Sequence, residues 1–181
     1  MGFAPIGNSI TRLLRSLRDE GIEVPREFFH NTMSPDIRRI SSSSSGKGQK
    51  IPPELESFVK RLVEYFDGDV MVMLFGSYAR GEHNRASDYD LVVVSKRLKG
   101  NFLTRTRPLY ELNEELLDVD ILAYTPSEFL KALENLSPSA LDAMKEGVVL
   151  HDNGFYEVAR RHFEELRRKG LRREKYWVMR A

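Results

Sequence analysis

The run Val70-Met71-Val72-Met73-Leu74-Phe75 stops at Gly76-Ser77. Six apolar residues without alternation read as a strand buried on both faces, since a strand with one wet face would alternate. Leu91-Val92-Val93-Val94 reads as a second such strand, Val119 to Tyr124 as a third, and Val148-Val149-Leu150 as a short fourth. Helical spacing fills the gaps between them. Leu55, Phe58, Val59, Leu62, Val63 and Phe66 recur at threes and fours behind Pro52-Pro53, a proline-led helix start, and Asp67-Gly68-Asp69 is the turn that follows. Residues 103–117 suit a helix with Leu109, Leu112 and Leu116 inward. Residues 126–136 and 138–146 suit two short helices, and 154–169 a last one carrying Phe155, Val158, Ala159, Phe163 and Leu166. The order predicts helices packed on a small sheet.

The chain of 181 residues allows one domain with extra segments. Residues 1–50 read as an N-terminal extension. Ile10, Leu13, Leu14 and Leu17 mark a short amphipathic helix over 9–20, and Ser41 to Ser45 with Gly46-Lys47-Gly48 marks a flexible linker. Gly46-Lys47 lacks the earlier glycine and the following Ser/Thr of a Walker loop. Residues 51–152 read as the main domain and 153–181 as a basic C-terminal helix packed on it. There is no cysteine, which excludes disulfide scaffolds, thiol nucleophiles and thiolate zinc sites and fits a reducing interior. No apolar stretch approaches the roughly 20 residues of a membrane span. Arg12, Arg15 and Arg18 lie where a secretory signal would be apolar, so a cytoplasmic location is expected. The net charge of +1 conceals an acidic middle between basic ends.

The segment Leu74 to Val94 concentrates polar residues between two apolar strands. Gly76 permits close backbone approach, and Ser77 stands where a helix would open, so the turn offers N–H groups and a hydroxyl to a phosphate. Arg80 could add a bidentate contact. Ser87-Asp88-Tyr89-Asp90 then leads into the second strand. Asp88 and Asp90 share a face of an extended chain, where two carboxylates repel unless a cation lies between them. Oxygen-liganded magnesium suits such a pair. Asp120, between Val119 and Ile121, is a charge within the third strand, and it joins the pair if those strands are neighbours. Asp118, at the strand's mouth, reads as solvated. Taken singly, a Gly-Ser turn is an ordinary strand exit and an Asp pair an ordinary solvated cap. Together they describe a site for a nucleoside triphosphate and its metal ions.

Gly-Ser-Tyr-Ala-Arg-Gly, followed by Ser-Asp-Tyr-Asp-Leu and by Val-Asp-Ile, resembles the minimal nucleotidyltransferases of the DNA polymerase β-like superfamily over roughly residues 55–125. The resemblance implies an α+β fold, a small mixed β-sheet with helices packed on one side. It implies that Gly76 and Ser77 hold the triphosphate, with Arg80 and Ser87 in the same nucleotide-binding group. Asp88 and Asp90 would bind magnesium, two ions with the nucleotide, and Asp120 would complete the metal shell and help activate an acceptor hydroxyl. The implied reaction moves a nucleoside monophosphate, with ATP as donor, to a protein or small-molecule hydroxyl. Minimal members often work beside a helical HEPN-type protein, some as antitoxins that adenylylate it. The alternative is an antitoxin-like module that neutralises such a partner by contact.

Other residues offer weaker signals. His30, His83, His151 and His162 show no metal-ligand spacing, and His83 with Glu82 lies in the turn between the motifs. Tyr89 faces away from the aspartates. Arg105 and Arg107 are within reach of a phosphate or an acceptor in some arrangements. The basic tail with Tyr176 and Trp177 has the composition of a nucleic-acid surface. Glu157, Glu164 and Glu165 on the same helix allow local ion pairs, for example Glu164 with Arg168, so nucleic acid is the less favoured partner.

Overall fold

A computed structural model describes residues 51–82 and 87–180. The expected helix at 9–20, its linker and His83 lie outside the described residues. Helix α1 (Pro53–Tyr65) opens on Pro53, with Glu54 and Glu56 in its first turn, and buries Leu55, Phe58, Val59 and Leu62. Proline suits that position because its missing N–H would have had no helical partner, and the acidic residues complement the helix dipole. Strand β1 (Met71–Phe75) is buried throughout, as its unbroken apolar run requires. A single helical turn, α2 (Gly76–Ala79), leads off it. Strand β2 (Tyr89–Val94) runs antiparallel to β1, and β3 (Val119–Tyr124) runs parallel to β2. Strand β4 (Val148–His151) joins the other edge of β1 antiparallel, giving the order β3-β2-β1-β4 and a mixed sheet.

The mixed sheet is the one expected, but helices cover both of its faces rather than one. Met71, Met73, Phe75, Val92 and Val94 pack with helices α4 (Pro126–Glu134), α5 (Pro138–Glu146) and α6 (Phe155–Arg168). Val70, Val72, Leu74, Leu91 and Val93 point the other way, onto α1 and onto Leu109 of helix α3 (Phe102–Glu111). Strands without alternation have two apolar faces, and each must be removed from water.

Two further differences concern the connections. Helix α3 ends at Glu111, not near 117. The Asn113 side chain captures the following backbone, accepting from the Leu117 N–H at 3.0 Å and donating to the Leu117 carbonyl at 2.8 Å. This local bonding competes with the helical ladder. Leu116 therefore turns outward, at φ 52 and 87% exposed, instead of packing inward. Beyond α6 the tail is not only helix. Strands β5 (Leu171–Arg173) and β6 (Trp177–Met179) form an antiparallel hairpin whose Leu171 and Trp177 complete the core over α6.

Candidate active site

The sheet pairing builds the site. Phe75, the last residue of β1, is the register partner of Asp90, and Asp90 is in turn the partner of Asp120. Parallel neighbours are about 4.8 Å apart. Alternation sets Asp90 on the face of Val92 and Val94, and Asp120 on the face of Leu122 and Tyr124, which is one side of the sheet. The two carboxylates thus stand side by side where β1 gives way to α2. Asp88 precedes β2 and is exposed, Ser87 beside it is half-buried, and Asp120 is exposed on the edge strand.

Gly76 closes one wall of this corner. Its φ is +74, and a Cβ built there would lie 2.1 Å from Asp90 Oδ2. Only glycine accepts both the left-handed backbone and the carboxylate pressed against it. Ser77 is half-buried, and its carbonyl accepts from the Glu82 N–H at 2.9 Å, folding the segment after α2 back on the turn. Burial is the main reason that the Asp90 carboxyl titrates above the usual aspartate range. The charges of Asp120 and Asp88 push the same way, and Arg80 opposes them. No described lysine, arginine or histidine forms an ion pair with Asp120.

These residues fit a divalent ion held jointly with phosphate. The donors are hard oxygens, and Asp90 is buried beside the charges of Asp120 and Asp88, a repulsion that a cation would relieve. Among the described residues no three His, Cys, Asp or Glu side chains converge as a cage for a metal ion. Asp90 and Asp120 are the paired groups and Asp88 stands at the rim, because it lies before the paired part of β2. Magnesium commonly takes one or two carboxylates and completes its shell with substrate phosphates and water.

Arg80 caps α2 and is held by two carboxylates. Its Nε donates to Glu82 and its Nη1 to Glu146, each at 2.7 Å, and both raise the guanidinium's pKa further. Glu146 was not marked by any local motif, and Glu82 only by its place in the turn. Arg105 does not face the site. It donates to Glu128 of α4 and to the Gly100 carbonyl. Arg107 lies on the surface beside Glu111. Tyr89 packs away from the aspartates, its ring 4.4 Å from that of Tyr78, and burial lifts its phenol to about 12.

The tail cations are largely matched: Arg160 and Arg161 with Glu157, Arg167 with Glu164, Lys169 with Glu165. Glu164 thus pairs one residue earlier than the spacing suggested. Trp177 docks on the domain through Phe163 and a 2.8 Å bond from Nε1 to Asp142, while Tyr176 is exposed.

Paired carboxylates on a mixed sheet beside a Gly-Ser turn are groups whose chemistry suits a hard cation and phosphate. The model of the nucleotidyltransferase domain matches residues 54–178. The chain belongs to that family, as the motif resemblance implies. Similar solved structures include a toxin-antitoxin crystallised with AMP-PNP, at 21% identity and a TM-score of 0.45, covering 62% of this chain and 86% of that one. A mutant of the toxin-antitoxin MntA-HpeT is 20% identical with a TM-score of 0.43, covering 62% and 86%. No curated protein matches the sequence. Among the described residues no helix is long and apolar enough to cross a membrane.

Proposed function

We propose that this protein transfers a nucleoside monophosphate from a nucleoside triphosphate, with ATP as donor, to a hydroxyl of a protein or small molecule. The observation that carries this reading is the register pair Asp90–Asp120 beside a glycine whose side of the turn is filled by the Asp90 carboxylate. Asp90, Asp120 and the rim residue Asp88 would hold magnesium with the triphosphate, and the bound metal supplies charge neutralisation and a more acidic acceptor hydroxyl. The Gly76-Ser77 turn would present backbone N–H groups to the phosphates, with Ser87 at the other lip. The acceptor oxygen attacks the α-phosphorus, the new P–O bond forms as the bond to the β-phosphate oxygen breaks, and pyrophosphate leaves. Asp120, exposed and in register with Asp90, would receive the acceptor proton. Positioning and electrostatics supply the catalysis, and no covalent enzyme intermediate is needed.

A helical HEPN-type protein is the acceptor the motif resemblance favours. The test is transfer of label from α-labelled ATP in the presence of magnesium, first to small hydroxyl acceptors and then to co-expressed partner protein. Wild type should label its acceptor and the double variant Asp88→Ala/Asp90→Ala should not. Equal labelling by the two overturns the proposal.

A further inference from the structure

Arg80 has a carboxylate partner 66 residues away, and the fold explains how that partner arrives. Helix α5 runs into β4, and β4 pairs antiparallel with β1 with Val148 opposite Leu74. Two residues before Val148 is Glu146, and two residues after Leu74 is Gly76. Antiparallel pairing therefore delivers Glu146 to the turn that opens the site. The junction has no slack. A Cβ at Gly147 would lie 2.3 Å from the Ala143 carbonyl oxygen and 2.9 Å from Met73 Cε, so the end of α5 is seated directly on β1. The Glu146 side chain is 27% exposed, from a backbone fixed at both ends. Arg80 projects from a single helical turn, with a long side chain that loses rotamer freedom when held. Glu82, its other partner, is 65% exposed. Of the two carboxylates, Glu146 is the one anchored to the sheet.

We propose that Glu146 is a positioning residue for the nucleotide. It holds the Arg80 guanidinium at the Gly76–Asp90 corner, oriented for a phosphate oxygen before the nucleotide arrives. The ordering cost of Arg80 is then met by the fold instead of by binding, which strengthens the complex. This rests on the functional reading above, because it presumes that a triphosphate enters this corner. The opposite arrangement, in which Glu146 sequesters Arg80 from phosphate, has the opposite sign and is separable by experiment.

Affinity for ATP with magnesium is measured by equilibrium titration of the full chain. Glu146→Ala should weaken binding about three- to tenfold, the scale of one lost hydrogen bond. Glu146→Gln keeps an acceptor oxygen and should recover most of the loss. In the Arg80→Ala background, Glu146→Ala should have no further effect. In transfer assays the KM for ATP should rise with little change in kcat. Should the alanine variant melt early, Glu146→Asp, which keeps the charge but is one methylene shorter, replaces it with the same expected sign. Unchanged or tighter binding by these variants overturns the inference, as does an equal loss with and without Arg80. Wild type that binds ATP while the variants match it removes this inference alone. Wild type that binds no nucleoside triphosphate removes the functional reading as well.

Discussion

At position 76 a methyl group would collide with Asp90 Oδ2 and would also have to accept φ +74. The left-handed backbone alone costs a non-glycine residue about 1–2 kcal/mol, and displacing Asp90 moves a proposed metal ligand. Gly76→Ala should therefore lower the melting temperature by several degrees and nearly abolish nucleotide transfer, which thermal melts and the labelling assay measure on one preparation. Asp120 makes the contrasting case. It is exposed on the edge strand and adds to the repulsion at Asp90. Asp120→Asn should leave the fold intact, with a melting temperature in chelator equal to or slightly above wild type, and should severely reduce transfer. A clear drop in that melt would reveal a structural ion pair. The repulsion felt by Asp90 and the absence of a described cationic partner for Asp120 argue for the first outcome.

Element ends depend on side chains that the hydrophobic pattern does not report. Helix α3 stops where Asn113 bonds both backbone groups of Leu117. Its Tyr110 hydroxyl accepts the Ile121 N–H at 3.1 Å, covering an outward-facing donor of edge strand β3. Helix α6 begins with Asp152 Oδ1 accepting the Tyr156 N–H at 3.0 Å and Asn153 Oδ1 accepting the Phe155 N–H at 3.2 Å. Burial raises the Asp152 carboxyl above the usual range although the backbone N–H groups of Tyr156 and Gly154 pull it the other way. Its sign is that of an acid that binds its proton more tightly folded than unfolded. Stability falls as pH climbs from the ordinary aspartate value of about 3.9 through the higher folded value, and the full cost remains at neutral pH. Asp152→Asn keeps the capping oxygen without the buried charge. Its melting temperature should exceed wild type at pH 7, and the difference should close as pH drops below about 4. A difference that stays constant with pH would mean the cap, and not the charge, sets the effect.

Across the whole molecule the sheet divides two cores, and the tail finishes one of them. Trp177 is 8% exposed, stacks edge-on to Phe163 at 5.9 Å, donates to Asp142 and lies 5.6 Å below the Arg173 guanidinium. Truncating so large a buried side chain costs about 3–5 kcal/mol. Trp177→Ala should destabilise the domain on that scale in chemical denaturation, whereas Tyr176→Ala, at the 67% exposed neighbour, should leave it nearly unchanged. Equal effects would mean that the hairpin is not part of the folded unit.

The strands and most helices were legible because burial repeats along the chain. Residues 71–75 and 91–94 are apolar on both sides, and the start of 138–146 is marked by its proline. The motif residues Gly76, Asp88, Asp90 and Asp120 stood out in the sequence because the phosphate and metal site that we propose would need those chemical types beside strand ends. The same non-alternating runs called for cover on both faces, a consequence that the one-sided fold expected by resemblance overlooked. Tertiary structure alone decided which charges meet. The β1–β4 register brings Glu146 to Arg80, and the placement of α3 and α4 about the edge strand β3 takes Arg105 to Glu128. It also decided that Asp90 pairs with Asp120 while Asp88 stays at the rim. Local propensity acts over a few residues and carries the elements. Ion pairs act over a few ångströms of space between groups far apart in the chain, so only the completed sheet could bring them into contact.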